Sequence, residues 1–133
     1  MKLGTIISLI LALNLALPTP TASVAMTEKV KLSVLQPKDY AAYKATKTYK
    51  WGKKHQKCLR ALWGKESAWN FRAKSPTKDY GIPQRHMRHN TPEQIKDFLK
   101  HPHAQIDWGL NYIKVRYGSP CGAWAFHRKN NWY

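Results

Sequence analysis

Residues 53–68 read Lys53-Lys54-His55-Gln56-Lys57-Cys58-Leu59-Arg60-Ala61-Leu62-Trp63-Gly64-Lys65-Glu66-Ser67-Ala68, and their apolar positions repeat with a helical period. Leu59, Leu62 and Trp63 stand at i, i+3 and i+4, which lays one apolar stripe along a helix. Position i+7 of that stripe is Glu66, the only acid in the segment. A carboxyl on the apolar face, with Trp69 close behind, is costly to ionise, so its pKa rises and it can hold a proton near neutral pH. A general acid needs that property. The competing reading is a helix-end Glu turned to solvent or paired with Lys65 or Arg72; periodicity alone weighs the two evenly.

Composition narrows what surrounds this helix. The chain has 133 residues, 23 Lys+Arg, 7 Asp+Glu and a formal charge of +16. That length suits one domain, and 43% hydrophobic residues suffice for a modest core. Seven acids leave little for a carboxylate cage around calcium. The basic excess predicts a polyanionic partner: nucleic acid, an anionic membrane or an anionic cell-wall polymer.

The N-terminus chooses among these. Lys2 precedes an apolar run from Leu3 to Leu17, then Pro18, Pro20 and the small residues Ser23-Val24-Ala25. This is the pattern of a cleavable export signal over residues 1–25, and a run of about 15 residues is short for a bilayer span. The expected protein is secreted, periplasmic or wall-associated, and monomeric, with no stable membrane insertion once the signal is removed. In an oxidising compartment Cys58 and Cys121 are expected to form a disulfide, two buried thiols being the alternative.

Residues 26–38 lack a clear period and read as a linker, leaving 39–133 as the domain. Asp39 is placed as the cap of a helix reaching about Lys50, before Gly52. Thr91-Pro92-Glu93-Gln94 is a capping box that opens a helix to Leu99. Pro102 opens another, with Ile106, Leu110, Ile113 and Tyr117 on its apolar face and Gly118 at its end; Ser119-Pro120 begins a short last helix. Residues 70–90 have no helical period and are expected to form an irregular lobe or a small hairpin. The predicted fold is mainly α with that lobe on one side.

Cleaving a glycosidic bond takes a proton for the leaving oxygen and something to stabilise the positive anomeric carbon. Glu66 can supply the first. Asp79, the only acid between Glu66 and Glu93, is a possible second carboxylate, with a solvated loop Asp beside Lys78 as the favoured alternative. Without it, the N-acetyl group of the substrate is the natural partner.

The segment Ala61-Leu62-Trp63-Gly64-Lys65-Glu66-Ser67-Ala68-Trp69-Asn70, followed by Tyr80-Gly81-Ile82-Pro83-Gln84, resembles the Glu-Ser and Gly-Leu-Met-Gln motifs of secreted lytic transglycosylases with a lysozyme-like fold. The stretch from Trp108 to Trp124 and the final Trp132-Tyr133 look like the small secreted transglycosylase-like domains of Gram-positive bacteria and their phages. The resemblance runs from about residue 55 to 133, with its motifs in order.

That resemblance implies a lysozyme-like domain that cuts peptidoglycan between N-acetylmuramic acid and N-acetylglucosamine, with Glu66 as acid and then base. It implies that Ser67 orients Glu66, that Gln84 lines the sugar groove with Tyr80 beside it, and that Trp124 packs near the catalytic Glu. Tyr112 lies off the apolar stripe of its helix, which leaves a groove role open against a core one. Cys58 and Cys121 fall where related domains carry a paired Cys. The chain departs from the family where Ala125 replaces an Asn and where Asp79 replaces a small uncharged residue, so a muramidase using Asp79 stays open, as does a non-catalytic cationic wall-binding module. The partners implied are peptidoglycan strands and their attached anionic polymers, with no cofactor.

Two further patterns carry less. His86-x-x-His89 and His101-x-His103 lack a third ligand, so they read as solvated loop histidines and not as a metal site. The basic run Lys44 to Arg60 carries Tyr49 and Trp51 and could suit nucleic acid, but an export signal argues against that partner.

Overall fold

The computed structural model describes residues 21–133. The export-signal reading lies outside the described residues over 1–20. Six helices and one hairpin follow in order: α1 (Ala22–Ser33), α2 (Pro37–Lys47), α3 (Lys53–Ser67), β1 (Asp79–Tyr80), β2 (Arg85–His86), α4 (Pro92–Phe98), α5 (Pro102–Tyr117) and α6 (Pro120–Asn130). The mainly helical class and the hairpin lobe are as the sequence predicts.

Two boundaries differ. Residues 26–38, expected as a linker, are helical as far as Ser33, because α1 is rich in good helix formers but buries no residue and so shows no apolar period. The second helix begins at Pro37, not at an Asp39 cap, and ends at Lys47. Proline's fixed φ suits the first helical position, and Asp39 instead sits in the first turn, where it favours the helix dipole.

The core gathers Leu59, Leu62 and Trp63 of α3, Ile82 of the hairpin turn, Ile106, Leu110 and Ile113 of α5, and Ala123 of α6, all almost fully buried. Each large aliphatic side chain there contributes about 1.5–3 kcal/mol. Tyr49 and Trp51 stack at 4.5 Å and pack into this core, Trp51 being buried, so they form no open platform for bases. Close approach of α5 to α3 requires Gly109: a Cβ there would lie 2.7 Å from Trp63 Cζ2 and 2.9 Å from Pro83 Cβ.

The α3–α6 pair is the most extensive helix contact, and a Cys58–Cys121 disulfide joins it covalently. The lobe is fastened by Gln105, a fully buried polar side chain on α5. Its Oε1 accepts from the Ile82 N–H at 2.8 Å, and its Nε2 donates to the carbonyls of Phe71 and Phe98. Gly81 has φ +74°, and a Cβ there would strike that same amide at 2.4 Å.

Candidate active site

α3 ends abruptly at the residue after Glu66. Ala68 and Trp69 both adopt left-handed backbone, φ 51° and 62°, which turns the chain away and sets Trp69 edge-on to Trp63. The Ser67 hydroxyl donates to the Ile82 carbonyl at 2.8 Å, so the end of α3 is tied to the turn between β1 and β2. From the other side, Trp63 Nε1 donates to the Tyr133 hydroxyl, which donates to the Pro83 carbonyl. These bonds frame a cavity of about 600 Å³ that opens beside Glu66.

The lobe contributes polar residues to the lining: Ser75, Thr77, Asp79, Gln84 and His86. The helical body and the C-terminus contribute aromatic residues: Trp108 and Tyr112, stacked at 5.1 Å one turn apart on α5, with Trp132 and Tyr133. Aromatic rings and hydrogen-bonding groups lining the same cavity suit a sugar, which has apolar ring faces and polar edges. Gln84 takes a left-handed backbone, φ 51°, and its amide donates to the Gly81 carbonyl at 2.9 Å.

The two carboxylates in the cavity have opposite surroundings. Burial, and then the negative charge of Asp79, push the Glu66 carboxyl up to about 7. Burial alone would raise Asp79 as well, but hydrogen bonds from Thr77, His86 and Ser75 and the His86 charge outweigh it and hold Asp79 below the usual value. Near neutrality one group keeps a proton and its neighbour is ionised, an arrangement suited to acid catalysis. Asp79 is therefore neither a solvated loop residue nor simply a partner of Lys78.

Glu66, Asp79, Gln84 and Tyr112 come together at the cavity, with Ser67 at its frame. Tyr80 does not join them. Side chains alternate along a strand, so with Asp79 lining the cavity, Tyr80 lines a different groove with Arg72, Lys74, Lys96 and Lys100. Trp124 does not line the cavity either; it stacks at 5.6 Å on the His127 ring, whose Nε2 lies 2.8 Å from Glu66 Oε1. His86 is exposed, as expected, and also bonds Asp79 at 2.9 Å, whereas His103 is half-buried and stacked at 4.0 Å on Tyr40.

The sequence reading missed His127, Trp108 and His86 as site residues. His127 had a signal: with Pro120 and Ala123 it marks i, i+3 and i+7, the buried face of α6.

A transglycosylase SLT domain model matches residues 41–129, from within α2 to the next-to-last residue of α6. The chain belongs to that family. No curated protein and no solved structure matches it. Membership implies lytic-transglycosylase-like activity on peptidoglycan. The disulfide of this SLT domain fits an extracytoplasmic location. Among the described residues no helix is long and apolar enough to cross a membrane.

Proposed function

We propose that the chain is an exported lytic transglycosylase whose single acid/base is Glu66, with residues 1–25 as its export signal. The observation that carries this is Glu66 itself: a carboxyl with its pKa raised to about 7, facing an open cavity inside an SLT domain. Protonated Glu66 gives its proton to the oxygen between N-acetylmuramic acid and N-acetylglucosamine, and the bond from that oxygen to the muramoyl C1 breaks. The resulting carboxylate takes the proton of the muramoyl 6-hydroxyl as O6 bonds to C1. Glu66 ends protonated, no water is consumed, and the product carries a 1,6-anhydro end. Trp108 and Tyr112 give sugar rings a stacking surface, and Gln84 gives their edges a hydrogen-bonding amide.

One observation favours a second reading. Asp79 shares the cavity and is held ionised, so it could direct a water at C1 and yield a reducing end. Digestion of purified sacculi separates the two: mass spectrometry of the released muropeptides finds anhydro ends for the first and reducing ends for the second. Glu66→Gln is expected to lower turnover by about 10²–10⁴, the usual worth of a general acid. A variant that clears sacculi at the wild-type rate would remove Glu66 from the role, and binding without cleavage by either protein would favour a wall-binding module.

A further inference from the structure

α6 carries a group that neither the family match nor the motifs assign. His127 is 8% exposed, Glu66 is 15% exposed, and Nε2 of the one lies 2.8 Å from Oε1 of the other. The ring is held on two sides: Trp124 stacks on it at 5.6 Å, and Tyr133 lies tilted against it at 6.5 Å. The disulfide joins the two helices that bear the pair. No rotation of a loop brings these groups together; the packing of α3 on α6 does.

An imidazole nitrogen 2.8 Å from a carboxyl oxygen can act as donor or as acceptor, and the catalytic cycle restricts the choice. After protonating the leaving oxygen, Glu66 is a carboxylate and can only accept. A partner useful at both stages must therefore carry its hydrogen on Nε2 throughout. We infer that His127 is a positioning residue for Glu66, its neutral Nε2–H donating to Oε1 and reserving Oε2 as the oxygen that bears the acid proton. The bond becomes charge-assisted, and so stronger, when Glu66 loses that proton, which eases delivery to the substrate. A cationic imidazole would instead form an ion pair with the carboxylate and spoil the acid. Burial, and then the Lys65 ammonium, hold His127 below its ordinary pKa and keep it neutral.

The other titratable groups around the pair are Lys65 on α3, Asp79 on β1, His86 on β2, Tyr112 on α5 and Tyr133 after α6. Asp79 raises Glu66, and His86 offsets part of the Asp79 charge. His127 is the one of these within hydrogen-bond reach of the Glu66 carboxyl.

The test uses the intact protein labelled with ¹⁵N-histidine. Imidazole ¹⁵N shifts between pH 5 and 8 are expected to report the neutral Nε2–H tautomer of His127. They should also show a change tracking Glu66 that disappears in Glu66→Gln. An imidazolium at pH 7, or the Nδ1–H tautomer, overturns the inference. In parallel, His127→Phe is expected to lower kcat about 10–100-fold, the usual cost of losing a supporting partner, and to move the alkaline limb of the pH–rate profile upward by about one pH unit. His127→Gln, whose amide can still donate, is expected to recover most of both. If His127→Phe loses activity only in proportion to its folded fraction by circular dichroism, with the limb unmoved, the residue is merely structural. The inference rests on Glu66 being the acid. An active Glu66→Gln defeats that reading, whereas the wrong tautomer beside an inactive Glu66→Gln defeats this one alone.

Discussion

Ser67 Oγ lies 2.8 Å from the Ile82 carbonyl oxygen, across the junction between the helical body and the hairpin lobe. The residue next to Glu66 therefore grips the turn whose flanking strands carry Asp79 and His86. Gln105 holds that turn from below through the Ile82 N–H. Both backbone polar groups of Ile82 are thus satisfied by side chains from different helices, and the cavity between body and lobe has a defined width.

Gln105→Leu is the sharpest check on that arrangement. It keeps the volume but leaves the Ile82 N–H and the Phe71 and Phe98 carbonyls without their side-chain partner in a buried setting. A loss of about 2–4 kcal/mol in chemical denaturation is expected. Amide exchange should quicken first in the lobe, residues 70–90.

Stability should depend on pH through Glu66. Its folded pKa, about 7, stands above the ordinary 4.5, so the native state binds the extra proton between those values. Unfolding releases it there, and stability falls as pH rises through that window. Glu66→Gln removes the dependence. The variant is expected to be more stable than wild type at pH 8, by an amount on the order of 1 kcal/mol after solvent screening, with the gap closing near pH 5. Melting temperatures across that range decide it.

Asp79→Asn tests the second carboxylate. Deleting its charge lowers the Glu66 pKa, so the alkaline limb of kcat/KM is expected to shift to lower pH. With transglycosylation, anhydro ends persist and turnover drops less than tenfold. With hydrolysis through Asp79, turnover drops about a hundredfold or more.

Replacing both Cys58 and Cys121 by Ala opens a link across 63 residues. The chain-entropy model predicts a loss of about 4 kcal/mol, readable as a lower denaturation midpoint. Dithiothreitol should reproduce it in wild type and leave the double variant unchanged.

Binding to sacculi should weaken as salt rises, because a formal charge of +16 acts on the wall polymer largely at long range. Sedimentation with sacculi between about 50 and 300 mM salt measures this, and salt-independent binding would contradict it.

Much of the fold was legible because it is written locally. The Thr91–Gln94 capping box forms as its residues dictate, with Thr91 Oγ1 accepting from the Gln94 N–H, and α4 starts where it should. Glu66 was half legible: a single helix period sets it in line with Leu59, Leu62 and Trp63, yet periodicity alone weighs that evenly against a helix-end Glu facing solvent. The register of the hairpin was not, since no short-range pattern sets which of Asp79 and Tyr80 faces the cavity; pairing of Asp79 with His86 does. The partnership of Glu66 with His127 was hidden for the same reason, as it depends on how two distant helices cross. α1 escaped notice because a helix that buries nothing leaves no period to find.

The Cys58–Cys121 bond has one more consequence, for life among proteases. It encloses every residue from Leu59 to Pro120, including the exposed stretch Pro76–Lys78 at the edge of the lobe, a natural place for a cut. A single nick there separates a piece bearing Glu66 from a piece bearing His127, yet each keeps one half of the disulfide. The two stay joined, and no part of the enclosed span is freed until it is cut a second time.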